Sequence, residues 1–338
     1  MRQGCRSEGL HVLLRSWEGP ALALHSAELC AVKHMVRHAS KAHRGPRLHR
    51  RFLFILVLTC FGFDLRARIV LRRIGGVQKA NRSNRWCTYW IRFEKDGDTF
   101  AAAADRCARL FEIARQAGVR RIVYTSHTHA TEASPFVYIA GKARAAAALR
   151  ASGIGSYAIA RPCGIFGDTA GESILMNNAA WVLRRTPLFL LAGDGQQRFQ
   201  PIHVRDMAEL LLSLGALDNE AAPSEERDAC GPDRPTSLDL FQHIASCVQS
   251  RATVAAPGVL STRLVTQLTK PINWYTGDVL LDADDLDLLC SGLTVAENPE
   301  DPGIARRRSL FTWLEEVGPW LGQDYISSMR RYYYQRSS

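Results

Sequence analysis

The sequence predicts an α/β protein: a parallel β-sheet flanked by helices, then a small, mostly helical C-terminal region, after about 86 irregular residues. Three observations carry this reading. From Thr99 onward, apolar runs of strand length alternate with helical stretches of 10–17 residues, the pattern of successive βαβ units. The apolar runs end in small hydroxyls, proline or glycine-rich loops. Charge is also unevenly placed. Residues 1–86 hold 17 Lys+Arg against 4 Asp+Glu, whereas the rest hold 26 against 29. The net charge of +10 therefore belongs to the first quarter of the chain.

In residues 1–86 Arg and His recur without a helical or strand period, so no element is predicted there. Phe100, Ala103, Ala104, Cys107, Leu110, Phe111 and Ala114 then form an apolar stripe at 3–4 spacing. This predicts an amphipathic helix over Thr99–Ala117, stopped by Gly118. Val119–Ser126 reads as a strand and His127–Pro135 as a loop. Phe136–Ala151 reads as a helix and Tyr157–Arg161 as a second buried strand, ended by Pro162. Cys163–Asp168 is a glycine-rich loop. Glu172–Arg185 follows as a helix and Leu188–Ala192 as a strand, and Gln200–Asp206 leads into a helix over Met207–Leu214. Residues 220–235, rich in Pro, Asp and Glu, read as a linker or surface excursion. Further helices are predicted over Ser237–Gln249, Val279–Ser291 and Ser309–Asp324, before a basic aromatic tail.

A length of 338 residues fits one large domain or two. The nine cysteines show neither C-x-x-C nor a Cys/His cluster, which excludes a disulfide scaffold and a structural zinc site. A reducing, cytoplasmic location is expected. The apolar run Phe52–Phe63 is about a dozen residues, short of the ~20 that a spanning helix needs. It follows the basic stretch Arg44–Arg51, as a signal-anchor would, but it lies some 50 residues into the chain and lacks a small-residue cleavage site, so membrane insertion is not expected. The basic arm carries no helix-turn-helix or zinc finger, so no specific nucleic-acid partner is expected.

The chemistry-bearing pair is Tyr138 and Lys142. Four positions apart on a helix, they lie on one face with Cβ atoms about 5–6 Å apart. A phenol has an ordinary pKa near ~10, and a fixed positive charge brings it toward working range. Such a pair can pass a proton to or from a carbonyl or hydroxyl oxygen.

The order of Gly118-Val-Arg-Arg-Ile-Val-Tyr-Thr-Ser126, loop, Tyr138-x-x-x-Lys142, strand, and Arg161-Pro162-x-x-Ile-Phe-Gly167 resembles the short-chain dehydrogenase/reductase superfamily. It is most similar to the extended and atypical branch with NAD-dependent epimerase/dehydratase and NmrA-like members. Pro201-Ile-His-Val-Arg-Asp206-Met-Ala resembles a late segment of that family, and Thr88–Phe93 resembles a loop of one subgroup. The resemblance implies a Rossmann-like fold, NAD or NADP as cofactor and a small-molecule substrate. It implies Tyr138 as acid/base. Lys142 would hold the nicotinamide ribose and lower the phenol pKa, and Ser126 would orient the substrate oxygen. Pro162, Cys163, Gly164 and Ile165 would line the nicotinamide through backbone groups. Residues 87–219 would be the nucleotide-binding remnant and 220–338 the substrate region. A non-catalytic cofactor-sensing or assembly protein, as in some NmrA-like and atypical members, or an inactive product of a frameshifted gene, stands as the alternative.

Each residue also has a plainer reading. Ser126 reads equally as a loop cap, and Tyr138 as a half-buried core aromatic with Lys142 solvated beside it. Asp206 reads as a helix N-terminal charge, His203 as structural, and Asn177 and Asn178 as a solvated helix face. Asp105 and Arg106 stand where extended relatives often carry Asn. A strand, a glycine-rich turn and a helix should open a dinucleotide-binding chain, yet Gly75-Gly76 lacks the third glycine. Gly153-Ile-Gly155-Ser-Tyr-Ala158 follows a helix and precedes a strand, the reverse of the required context. An aperiodic Arg/His-rich stretch in place of that half is what an out-of-frame reading of a GC-rich gene would produce.

Overall fold

The computed structural model describes residues 94, 97–116, 119, 121–169, 171, 173–215, 222–279, 283–298, 306–328 and 330. The basic segment 1–86, the apolar run 52–63, the Gly75-Gly76 pair, the 88–93 run and the tail from 331 lie outside the described residues.

In chain order the elements are α1 (Phe100–Gln116), β1 (Arg121–Thr125), α2 (Val137–Ala151), β2 (Ser156–Arg161), β3 (Ile165–Phe166), α3 (Ile174–Leu183), β4 (Leu188–Leu190), β5 (Ile202–His203), α4 (Val204–Gly215), β6 (Glu225–Asp228), α5 (Ser237–Cys247), β7 (Thr253–Ala255), α6 (Thr262–Thr276), α7 (Ala283–Cys290) and α8 (Leu310–Val317). The main sheet has the order β1-β2-β6, with every pair parallel. Arg121 pairs with Ser156, Thr125 with Ala160, and Arg161 with Asp228.

Side chains alternate across this sheet with period two. Ile122, Tyr124 and Ile159 pack with Phe100, Ala103, Ala104, Cys107 and Phe111 of α1 and with Ala145, Ala146 and Leu149 of α2. Val123, Ala158 and Ala160 pack on the other face with Met207, Ala208, Leu211 and Leu214 of α4. Both faces are covered, as the near-continuous apolar strands require. A second core joins α3, α5 and α8 through Leu183, Leu240, Ile244, Trp313 and Leu314.

The predicted α/β alternation is realised, and four local expectations need correction. Residues 220–235 are not a linker: they contain β6, the third strand of the main sheet. Its charges are matched by arginines on neighbouring elements, Glu225 by Arg121 at 2.8 Å, Glu226 by Arg150 at 2.8 Å and Asp228 by Arg161 at 2.9 Å. The glycine-rich loop Cys163–Asp168 contains β3, which pairs with β5. Helix α6 was not anticipated because Pro271 lies inside it. Its boundary signals are nonetheless present: at the start Ser261 Oγ accepts from the Leu264 N–H at 3.2 Å, and at the end Gly277 closes the helix with a left-handed φ of 61°. Helix α8 ends at Val317 rather than Asp324; its cap Gly318 keeps right-handed helical angles (φ −47°, ψ −44°) and donates its N–H to the Leu314 carbonyl, and Pro319, which has no N–H to continue the ladder, follows it.

Candidate functional site

The site begins where the main strands end. Beyond β1, the Ser126 N–H donates to the Ala160 carbonyl at 2.8 Å and the Thr128 N–H to the Pro162 carbonyl at 3.2 Å. These bonds continue the parallel ladder and hold Ser126–Thr128 alongside Pro162. Next to them, the Cys163 thiol donates to the Gln200 carbonyl at 2.7 Å, and the Ile202 N–H donates to the Gly164 carbonyl at 2.9 Å. The carboxyl edge of a parallel sheet is where such folds hold ligands, because the connecting loops diverge there.

Helix α2 brings Tyr138 and Lys142 to this edge. The half-buried Tyr138 ring meets Phe100 edge-on at 5.5 Å and His127 at 5.9 Å. Lys142 is fully buried, and its Nζ donates to the Thr125 carbonyl at 3.2 Å. The same Nζ lies 6.0 Å from the Tyr138 ring centroid and 5.5 Å from that of Tyr124. A hydrogen bond and two aromatic rings offset part of the desolvation of this ammonium. Lys142 is therefore not the solvated neighbour of the plainer reading. Ser126 is also buried, between Thr125 and His127.

A cavity of about 1090 Å³ opens at this edge. Tyr138, His127, Cys163, Gly164 and Ile165 line one part of it, while Ser126, Lys142 and Pro162 are buried and do not line it. A Cβ added to Gly164 would meet only Pro201 Cβ, at 3.5 Å. The fold itself thus does not demand glycine there, and its bareness leaves backbone open to the cavity.

His127 was missed at the sequence level, where it was read as loop. Its Nδ1 lies 2.6 Å from the Thr128 carbonyl. Burial pulls its pKa down to about 4, against the raising effect of the Thr128 backbone, so the ring is neutral at pH 7. Its position one residue after the strand-end serine was the available signal. Cys163 stands 3.8 Å from Cys230, and burial pushes its thiol well up, so it remains protonated.

The other singled-out residues do structural work. Asn177 and Asn178 are buried rather than solvated. Asn177 accepts from the Gly322 N–H at 2.9 Å, and Asn178 both donates to the Ile326 carbonyl and accepts from its N–H, at 2.9 and 3.0 Å. Asp206 sits in the first turn of α4 and binds Arg308 through that residue's backbone N–H and guanidinium. His203 accepts from the Arg205 N–H at 3.1 Å and packs edge-on against Phe166; burial lowers its pKa. Arg106 pairs with Asp98 at 2.7 Å and Asp105 with Arg144 at 2.5 Å. Among the described residues no cluster of three potential metal ligands occurs, and no helix is long and apolar enough to cross a membrane.

No family model and no curated protein matches the sequence. Solved structures do match. Triphenylmethane reductase from Citrobacter sp. in complex with NADP(H) superposes with a TM-score of 0.51 at 15% identity, over 64% of this chain and 72% of that one. A second structure of that reductase gives 0.50 at 15% identity, over 66% and 73%. The NADPH-dependent quinone oxidoreductase QOR2 of Escherichia coli gives 0.49 at 19% identity, over 64% and 70%. On the first two, this chain has the Rossmann-type α/β fold of the triphenylmethane reductase.

Proposed function

We propose that the protein is an NAD(P)-dependent oxidoreductase, or a related epimerase/dehydratase, that acts on a small molecule through Tyr138 and Lys142. The observation that carries this is Tyr138 at the cavity wall with the Lys142 ammonium 6.0 Å from its ring, at the carboxyl edge of a parallel sheet. The triphenylmethane reductase that shares the fold is crystallised with NADP(H). The residues present suit the nicotinamide end of such a cofactor, since Cys163, Gly164 and Ile165 face the cavity and Gly164 offers no side chain.

When bound, the cofactor supplies or accepts the hydride. In the reducing direction Tyr138 gives its hydroxyl proton to the substrate oxygen, which becomes an alcohol. Lys142 stabilises the phenolate left behind by its charge. Ser126 is buried behind the wall, so it orients the substrate oxygen only with its Oγ turned toward the cavity, and neutral His127 holds one side of the Tyr138 ring. Because Lys142 is fully buried and bonded to Thr125, its effect on Tyr138 is electrostatic, and a contact with ribose requires Nζ to turn outward.

That burial also favours a second reading, a cofactor-binding sensor without turnover. The two separate in one experiment. NADPH consumption is followed over a carbonyl panel for the full chain and for Tyr138→Phe, with cofactor binding measured by fluorescence. Turnover lost in the variant supports the enzyme. Binding without turnover in the parent supports the sensor, and absence of binding overturns both.

A further inference from the structure

We infer that the cavity takes a bulky apolar molecule, uncharged or cationic, and rejects nucleoside diphosphate sugars. This deepens the proposed function and rests on the cavity being its reaction chamber. At about 1090 Å³ the cavity is at the upper end of small-molecule sites, so a large substrate fits. Leu175, Met176, Leu188, Phe189, Leu268 and Ile272 represent its predominantly apolar wall.

The charges on that wall decide the substrate class. Among the described residues the half-buried Asp285 and Asp287 and the exposed Glu94 and Asp284 line it, Glu94 accepting the Phe100 N–H at 2.9 Å, and no Lys or Arg does. His127 adds no positive charge, because burial keeps it neutral at pH 7 and its place in the wall is fixed by the Thr128 carbonyl. A pyrophosphate brings two negative charges, which proteins hold with Arg, Lys or several backbone N–H groups. The start of α5 is already closed by its own capping box, in which Thr236 and Asp239 satisfy each other. The start of α3 at Ser173 offers at most about half a positive charge. An anionic head group beside α7 would meet the half-buried Asp285 and Asp287 with no described cation to hold it, which is unfavourable.

The test uses the full chain and binding alone, so it does not depend on turnover. Nile red, an uncharged apolar fluorophore, is titrated into the protein, and UDP-glucose and a neutral polycyclic ketone are each tried as competitors. Leu268 lines the wall yet is half exposed, so Leu268→Lys adds a cation there without threatening the fold. Nile red is expected to bind, to be displaced by the ketone and not by millimolar UDP-glucose, and to lose about tenfold in affinity in Leu268→Lys. Displacement by UDP-glucose, no binding, or binding unchanged in Leu268→Lys overturns the inference. Apolar ligand binding with no NADPH-dependent turnover would sink the oxidoreductase reading and leave this one standing. Turnover of a sugar nucleotide would do the reverse.

Discussion

The two parts of the cavity wall are built differently. The part with Tyr138, His127 and Cys163–Ile165 comes from one βαβ unit and its loops, and it presents backbone groups, a phenol and an imidazole. The part from α3, β4, α5, α6 and α7 draws on residues from 174 to 290 and presents aliphatic and aromatic side chains with three aspartates. Proton transfer needs atoms fixed to a fraction of an ångström, and a helix docked on a sheet edge supplies that within a short stretch of chain. Excluding a charge needs only the right kind of surface, which scattered residues can assemble.

The sharpest way to separate the two parts is Tyr138→Phe. It should lower turnover by about 10²–10⁴-fold while leaving Nile red affinity within about twofold. Equal losses in both would mean that the walls act as one.

Next in size is the acid response of the reactive part. The folded His127 has a pKa of about 4 against an ordinary 6.5, so between these values the unfolded chain binds more protons. Stability should be fully present above pH 6.5 and fall as pH drops toward 4, by on the order of 3 kcal/mol. His203, lowered by burial, adds in the same direction. Urea midpoints across that range should show this slope, and His127→Gln should flatten it. An unchanged slope would mean that the imidazole is hydrated in solution.

Asn178→Ala should cost about 2 kcal/mol, because it strips both backbone partners from Ile326 beside the apolar part. Thermal unfolding measures it, and a loss below a few tenths would show that the 322–326 segment is not held there. The smallest expected effect is Thr236→Ala. It removes the capping box of α5 and should cost about 1 kcal/mol in chemical denaturation with no change in cofactor binding. Altered binding would show that the α5 start belongs to the reactive part.

Legibility followed the same division. The stripe of α1, the two buried strands and the Tyr138–Lys142 face were readable because 3.6 and 2.0 periodicities are local properties of the chain. Strand β6 was not, because Glu225 and Glu226 look solvated until Arg121 and Arg150, from 76 to 104 positions away, are placed beside them. Asn177 and Asn178 looked solvated for the same reason: their backbone partners lie about 145 positions on.

By itself the sequence determined the α/β alternation and the shared face of Tyr138 and Lys142, since backbone geometry turns spacing into direction. Only the tertiary structure decided that Lys142 is buried against Thr125, that His127 joins the site as a neutral ring, and that the cavity wall carries carboxylates and no described cation. Those outcomes depend on which distant groups meet across space and on how much water they exclude, and no local pattern encodes either.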